Sequence, residues 1–229
     1  WCRDSQSPAK QGKVGAVPVG RSVRSALWLY FVLLGANVIG MILISVEGAS
    51  ETGVDIALSL AFCGIVFIWS LANPQWVRPY LATLGRPRHY LLAVLIGLGT
   101  FAVAMASIEG AVRLLEIESL SFSRPFLKDG YGWLVVFLIV AVQPAVIEEL
   151  AFRGVMLDAF KRGLGRNEAV VVSALLFMIL HVLPLSFPFL LLMGLATAWL
   201  RLASGSLYPC MLLHFVHNSL VLLAERMGY

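Results

Sequence analysis

Long apolar runs constrain this chain more than anything else in it. Seven of them cover roughly residues 25–46, 55–73, 89–108, 132–160, 168–184, 186–201 and 206–224. A spanning α-helix needs about 20 such residues to cross the hydrocarbon core of a bilayer. The runs therefore specify an all-α, polytopic transmembrane helix bundle of about seven spans. Six to eight are possible, because the run at 186–201 is short. Composition agrees: 59% of residues are hydrophobic and 13% charged, against about 45–50% and about 25% in soluble domains. Mean hydropathy is +0.86. The net charge of +4 is then no sign of nucleic-acid binding, since basic residues in a membrane protein mark the cytoplasmic loops. Cys2, Cys63 and Cys210 lack the spacing of a disulfide framework or a structural zinc site. Cys63 and Cys210 read as small buried hydrophobes.

The chain divides into a polar tail at 1–20, membrane helices with an amphipathic segment at 21–131, and a second helical region at 132–229. The tail contains Gly and Pro and is expected to be flexible. The first apolar run is longer than a signal-peptide core and has no clear small-residue cleavage site after it, so it reads as a retained helix. No internal repeat is visible. Between the third and fourth runs, "EGAVRLLEIESLSFSRPFLKDG" mixes apolar and charged residues around Leu114, Leu115 and Ile117. An amphipathic helix lying in the interface fits it, with a polar loop as the alternative. Basic residues concentrate in the tail, around Arg78, Arg86 and Arg88, and around Lys161, Arg162 and Arg166. By the positive-inside rule the N-terminus is cytoplasmic.

Against this background the stretch "LVVFLIVAVQPAVIEELAFRGVML" at 134–157 is conspicuous. It places Glu148, Glu149 and Arg153 inside an apolar run, where a charge costs about 2.5–3.5 kcal/mol on insertion scales. Three other polar sites fall in later runs: His181, His214 and the pair His217–Asn218. Singly, each reads as a buried ion pair or as hydrogen-bonding glue between helices. Their depths coincide, however. At 1.5 Å per residue, Glu148 lies about 20 Å from the helix end near 162, His181 about 20 Å from the helix start near 168, and His214 and Asn218 about 12–18 Å from the start near 206. Glu149 and Arg153 are four apart and can pair. Glu148 is rotated by about 100° from Glu149 and is free to face a pocket. There it can act as a general base. His214 and Asn218 are also four apart and can direct two hydrogen bonds at one oxygen, as an oxyanion hole does.

The motifs "EELAFR" (Glu148, Glu149, Arg153), "FMILH" (Phe177 to His181) and "HFVHN" (His214 to Asn218) resemble, in this order, those of the CAAX prenyl protease and bacteriocin-processing family of intramembrane proteases. The resemblance covers about residues 132–224. It implies hydrolysis of a peptide bond within the bilayer, in a membrane-associated protein or peptide. By the resemblance, Glu148 and His181 activate water, His214 and Asn218 stabilise the oxyanion, and Glu149 and Arg153 support the site. His217 lies outside the motif, as a supporting group or helix glue. The resemblance favours a metal-free mechanism with no cofactor. Zinc held by some of Glu148, Glu149, His181 and His214 is the alternative, although no H-E-x-x-H occurs.

Two other functions compete. Buried Glu and His residues also serve transporters and proton relays, but the Gly/Pro-broken helix pairs of many transporters are not evident. A catalytically idle scaffold or immunity protein is the third reading, and an intact motif set argues against it.

Overall fold

The apolar runs become helices whose ends are set by turn residues and caps. The structure, a computed structural model, describes residues 19–46, 50–116 and 121–228. All but two residues of the expected tail, 1–18, lie outside the described residues. Helix α1 (Val19–Ile44) is followed by α2 (Glu51–Ala72). The Ser50 hydroxyl caps α2 by accepting the Gly53 N–H at 3.0 Å, satisfying a donor that the first turn leaves open. A short α3 (Arg78–Leu81) leads to α4 (Pro87–Leu115), where Pro occupies the first position, whose N–H has no helical partner anyway. Then come α5 (Arg124–Lys128), the long α6 (Trp133–Gly163), α7 (Arg166–Leu180), α8 (Phe187–Ser204) and α9 (Tyr208–Met227). Gly205 and Gly228, at φ of 69° and 88°, end α8 and α9 in the left-handed conformation that glycine adopts without strain.

Among the described residues, five helices are long and apolar enough to cross a membrane: α1, α2, α4, α6 and α8 with its preceding turn. The expected spans at 168–184 and 206–224 fall short for different reasons. α7 has only 15 residues, and α9 is diluted by the polar residues it carries. The amphipathic segment also differs from expectation. Leu114 and Leu115 continue α4, and among the described residues of the stretch that follows only the five of α5 form a separate helix. Ile117 lies outside the described residues. Large apolar side chains such as Trp28, Phe31, Ile68, Leu71 and Leu134 face outward, as they must on a surface solvated by lipid.

Small residues set the closest helix contacts, the usual solution where lipid provides no hydrophobic drive between helices. A Cβ on Gly97 of α4 would meet Val216 Cγ1 of α9 at 2.9 Å, and one on Gly194 of α8 would meet the Ala174 Cα of α7 at 3.0 Å. The bundle has two distinct ends. At one, the Leu207 N–H donates to the Tyr80 carbonyl (3.2 Å), the Tyr80 hydroxyl donates to Asp158 (2.6 Å), and Arg162 covers the Trp76 ring. Burial and the Asp158 carboxylate raise the Tyr80 pKa, which keeps the hydroxyl a donor. At the other end, Glu225 accepts the backbone N–H groups of Phe122 (2.8 Å) and Ser123 (2.9 Å), and Ser50 meets Asp129.

Candidate active site

The site begins with an irregularity in α6. The helix widens to π geometry at Leu138–Val142 and again at Leu150–Met156, a distortion that recurs at functional sites. Pro144 lies just after the first. Proline has no N–H, so the carbonyl four residues earlier loses its helical donor. That carbonyl belongs to Val140, and the Asn218 side chain of α9 donates to it at 2.9 Å. A primary amide has two N–H bonds, so Asn218 keeps one to offer elsewhere. One turn beyond Pro144, on the same face, is Glu148.

Glu148 makes no hydrogen bond among the described residues. Its Oε2 lies 3.7 Å from His181 Nε2, with the two side chains 14% and 30% exposed. His181 caps the C-terminus of α7 rather than lying within a span, because Val182 turns to a φ of 54° and the helix stops at Leu180. Asn37 of α1 secures that end by donating to the Leu180 carbonyl at 2.7 Å. His181 Nδ1 faces the Phe177 carbonyl at 2.9 Å. A carbonyl only accepts, so Nδ1 carries the proton and a neutral ring leaves Nε2 as an acceptor. Glu148 and His181 thus present two acceptors side by side, a pair suited to receiving both protons of one water.

Glu149 points the other way. One oxygen accepts from His214 Nδ1 at 3.0 Å, and the other lies 3.3 Å from Arg153 Nε, with all three side chains buried. Arg153 also donates to the Gly194 carbonyl at 3.1 Å and stacks over the Phe177 ring. With Nδ1 committed to Glu149, only His214 Nε2 can serve the cavity. It donates there only when the ring carries both protons.

Glu148, His181, His214, His217 and Asn218 line one cavity of about 270 Å³, walled by apolar residues including Phe189, Leu190 and Met193. A second cavity of about 320 Å³ adjoins it. Both are lined by Phe122, Val140, Pro144, Glu148 and His181, and the second adds Asn37, Glu51, Asp55, Ser59 and Gln143. The expected residues are therefore brought together, with Glu149 and Arg153 behind the wall. His217 forms part of the wall and is bonded through Nδ1 to Thr100 Oγ1 of α4 at 3.0 Å and stacked on Phe189. The four residues named for zinc divide into two pairs, and among the described residues no three His, Cys, Asp or Glu side chains gather as a metal site. Sequence reasoning missed the Pro144–Val140–Asn218 link and the Glu149–His214 bond. The first had a visible signal, a proline within helix reach of the carboxylates. The second pairs residues 65 apart in the chain and had none.

A bundle of apolar helices around paired carboxylates and imidazoles is an integral membrane protein with the makings of a hydrolytic site. Residues 130–220 match the model of the type II CAAX prenyl endopeptidase Rce1-like family. These residues hold all three motifs, and through them the chain is similar to the CAAX prenyl protease family. Neither the curated proteins nor the solved structures include a match to it.

Proposed function

We propose that the protein is an intramembrane endopeptidase that hydrolyses a peptide bond of a membrane-associated protein or peptide, with 132–229 as its catalytic region. The observation that carries this reading is the Glu148–His181 pair, 3.7 Å apart in the wall of a cavity that also holds His214 and Asn218. A water bound there donates to Glu148 and His181 Nε2. Glu148 takes a proton as general base, and the water oxygen bonds to the scissile carbonyl carbon. The charge moves to the carbonyl oxygen, where the second N–H of Asn218 and Nε2–H of doubly protonated His214 stabilise it. Collapse breaks the C–N bond, and the proton held at Glu148 passes to the departing nitrogen. The products are a carboxylate and an amine. Glu149 and Arg153 act by holding His214.

The test uses purified full-length protein in lipid vesicles, a prenylated CAAX-type peptide as probe, and mass spectrometry of membrane peptides from cells with wild-type or Glu148→Gln protein. Cleavage that depends on Glu148 is expected in at least one of the two assays. Equal product from wild type and Glu148→Gln would refute the assignment of the base.

A further inference from the structure

We propose that the larger cavity is the water entrance of the active site, with Asp55, Ser59 and Gln143 as positioning residues that lead water to Glu148 while substrate fills the smaller cavity. The inference deepens the protease reading and rests on it for what the water does on arrival.

The two cavities share the Glu148–His181 pair but not its neighbours. Among the described residues, His214, His217 and Asn218 line only the smaller, with the apolar walls of Phe189, Leu190 and Met193. Asn37, Glu51, Asp55, Ser59 and Gln143 line only the larger. The donors that suit an oxyanion are thus all on one side of the pair. A scissile carbonyl meets them from the smaller cavity, and a peptide segment seated there covers the apolar approach to Glu148. Water still has to arrive, since each hydrolysis consumes one molecule, and a water site needs two or more polar partners that apolar walls do not supply. The larger cavity supplies them. Glu148 asks for such a donor: its Oε2 is buried and has no hydrogen-bond partner among the described residues, and His181 Nε2, 3.7 Å away, is itself an acceptor in the neutral ring.

The polar residues of α2 form a track to this point. Glu51, Asp55 and Ser59 recur every four residues and share one face of the helix. At 1.5 Å per residue they run about 12 Å along its axis. Glu51 is exposed, and Asp55 and Ser59 are half-buried. The opposite face carries the exposed apolar side chains Leu60, Phe67, Ile68 and Leu71. At the inner end of the track the Ser59 hydroxyl donates to Gln143 Oε1 at 3.4 Å, which carries the polar surface across to α6 beside Pro144 and Glu148. Asp55 alone would be an ordinary acid near a membrane surface. Its continuation through Ser59 and Gln143 to the base marks a route, since polar groups inside spans turn to water-filled cavities and pathways. The chemistry balances with water alone. One O–H proton passes to Glu148, the C–O bond forms as the carbonyl oxygen takes its charge towards Asn218 and His214, and the same proton leaves with the amine.

Two measurements on purified full-length protein in lipid vesicles test the route. The first is thiol labelling with a small charged methanethiosulfonate, which reacts with the thiolate and therefore reports water. Cys2 and Cys63 are replaced by serine, and the fully buried Cys210 is kept. Ser59→Cys should label, and Leu60→Cys, one residue on and facing lipid, should not. Asp55→Cys replaces Ser59→Cys if that variant does not accumulate. The second is steady-state cleavage of a prenylated CAAX-type peptide by Ser59→Val and Ser59→Thr, two variants of one shape that differ in a hydroxyl. Ser59→Val should have a kcat lower than that of Ser59→Thr by about tenfold, the scale of one hydrogen bond to the reacting water, with the same KM. An unlabelled cavity thiol, labelling of Leu60→Cys at the same rate, equal kcat for the two Ser59 variants, or a difference confined to KM each overturns the water route. Labelling needs no cleavage. The expected labelling in a protein that cleaves nothing counts against the protease reading alone, and Glu148-dependent cleavage with an unlabelled cavity thiol counts against the water route alone.

Discussion

Glu148 and Glu149 are neighbours in the chain with opposite surroundings, and substitution should separate them. The Glu148 side chain has no hydrogen bond among the described residues and faces a cavity, so Glu148→Gln removes a proton acceptor without removing volume. We expect cleavage to disappear while expression and thermal unfolding stay at wild-type levels. An active Glu148→Gln enzyme would end its assignment as base. Glu149 is engaged on both oxygens, by His214 at 3.0 Å and by Arg153 at 3.3 Å. Breaking a buried ion pair costs about 3–5 kcal/mol, so Glu149→Gln should lower both activity and melting temperature. A stable but inactive Glu149→Gln beside an active Glu148→Gln would exchange their roles. Asn218 has one N–H left after bonding to Val140. If it serves the oxyanion, Asn218→Ala lowers kcat by about a hundredfold or more with little change in substrate affinity. His217→Ala should cost much less, because its Nδ1 is committed to Thr100. Equal losses at the two positions, measured by steady-state kinetics, would mean that the wrong face of α9 has been assigned. At this scale the sequence was informative. Spacing by four placed Glu149 with Arg153, and the 100° step turned Glu148 elsewhere. The partner of His214 was not legible, because bonds between distant helices leave no local pattern.

Among the elements, α6 departs most from regular geometry and gives the sharpest test of how shape sets chemistry. A proline in a helix interior costs about 3 kcal/mol, yet Pro144 sits between the two π stretches and beside the site. Its missing N–H leaves the Val140 carbonyl for Asn218. Pro144→Ala restores a backbone donor to that carbonyl and regularises the helix. The expected outcome is a melting temperature at or above that of wild type with reduced turnover, as Asn218 loses its anchor. Unchanged kcat would show that the Val140 bond does not position Asn218. Five of the expected spans were legible as length and hydropathy alone. Others were not, for physical reasons. The stop after Leu180 depends on Val182 adopting a φ of 54°, which a β-branched residue rarely does, so the sequence reads as continuing helix. Leu114 and Leu115 read as a separate amphipathic helix because the charges around them resemble an interface, although they extend α4. Nor does hydropathy report that Gly97 and Gly194 are contact points: a glycine in an apolar run looks like any other small residue until its neighbour is known.

Across the whole molecule, seven longer helices from α1 to α9 surround a site built from α6, α7 and α9, with α4 and α8 closing its walls. The arrangement bears on metal chemistry. A catalytic zinc takes three protein ligands and leaves a position for water. Of the four residues that could supply them, Glu149 faces Arg153 and His214 rather than the cavity, and His214 has committed Nδ1 to it. His181 has committed Nδ1 to the Phe177 carbonyl. Glu148 and the two Nε2 atoms remain, and the proposed mechanism uses them for proton transfer and hydrogen bonding to the reacting groups. On the proposed glutamate–histidine mechanism, purified active protein is expected to contain sub-stoichiometric zinc by elemental analysis, and cleavage to survive prolonged dialysis against a hydrophilic chelator. An apolar chelator such as phenanthroline is a poor probe, since it can occupy an apolar cavity without removing any ion. The metal route makes the opposite forecast, with a bound water acidified to a pKa of about 7 and activity tied to metal content. Stoichiometric zinc whose removal abolishes cleavage and whose return restores it would overturn the glutamate–histidine mechanism.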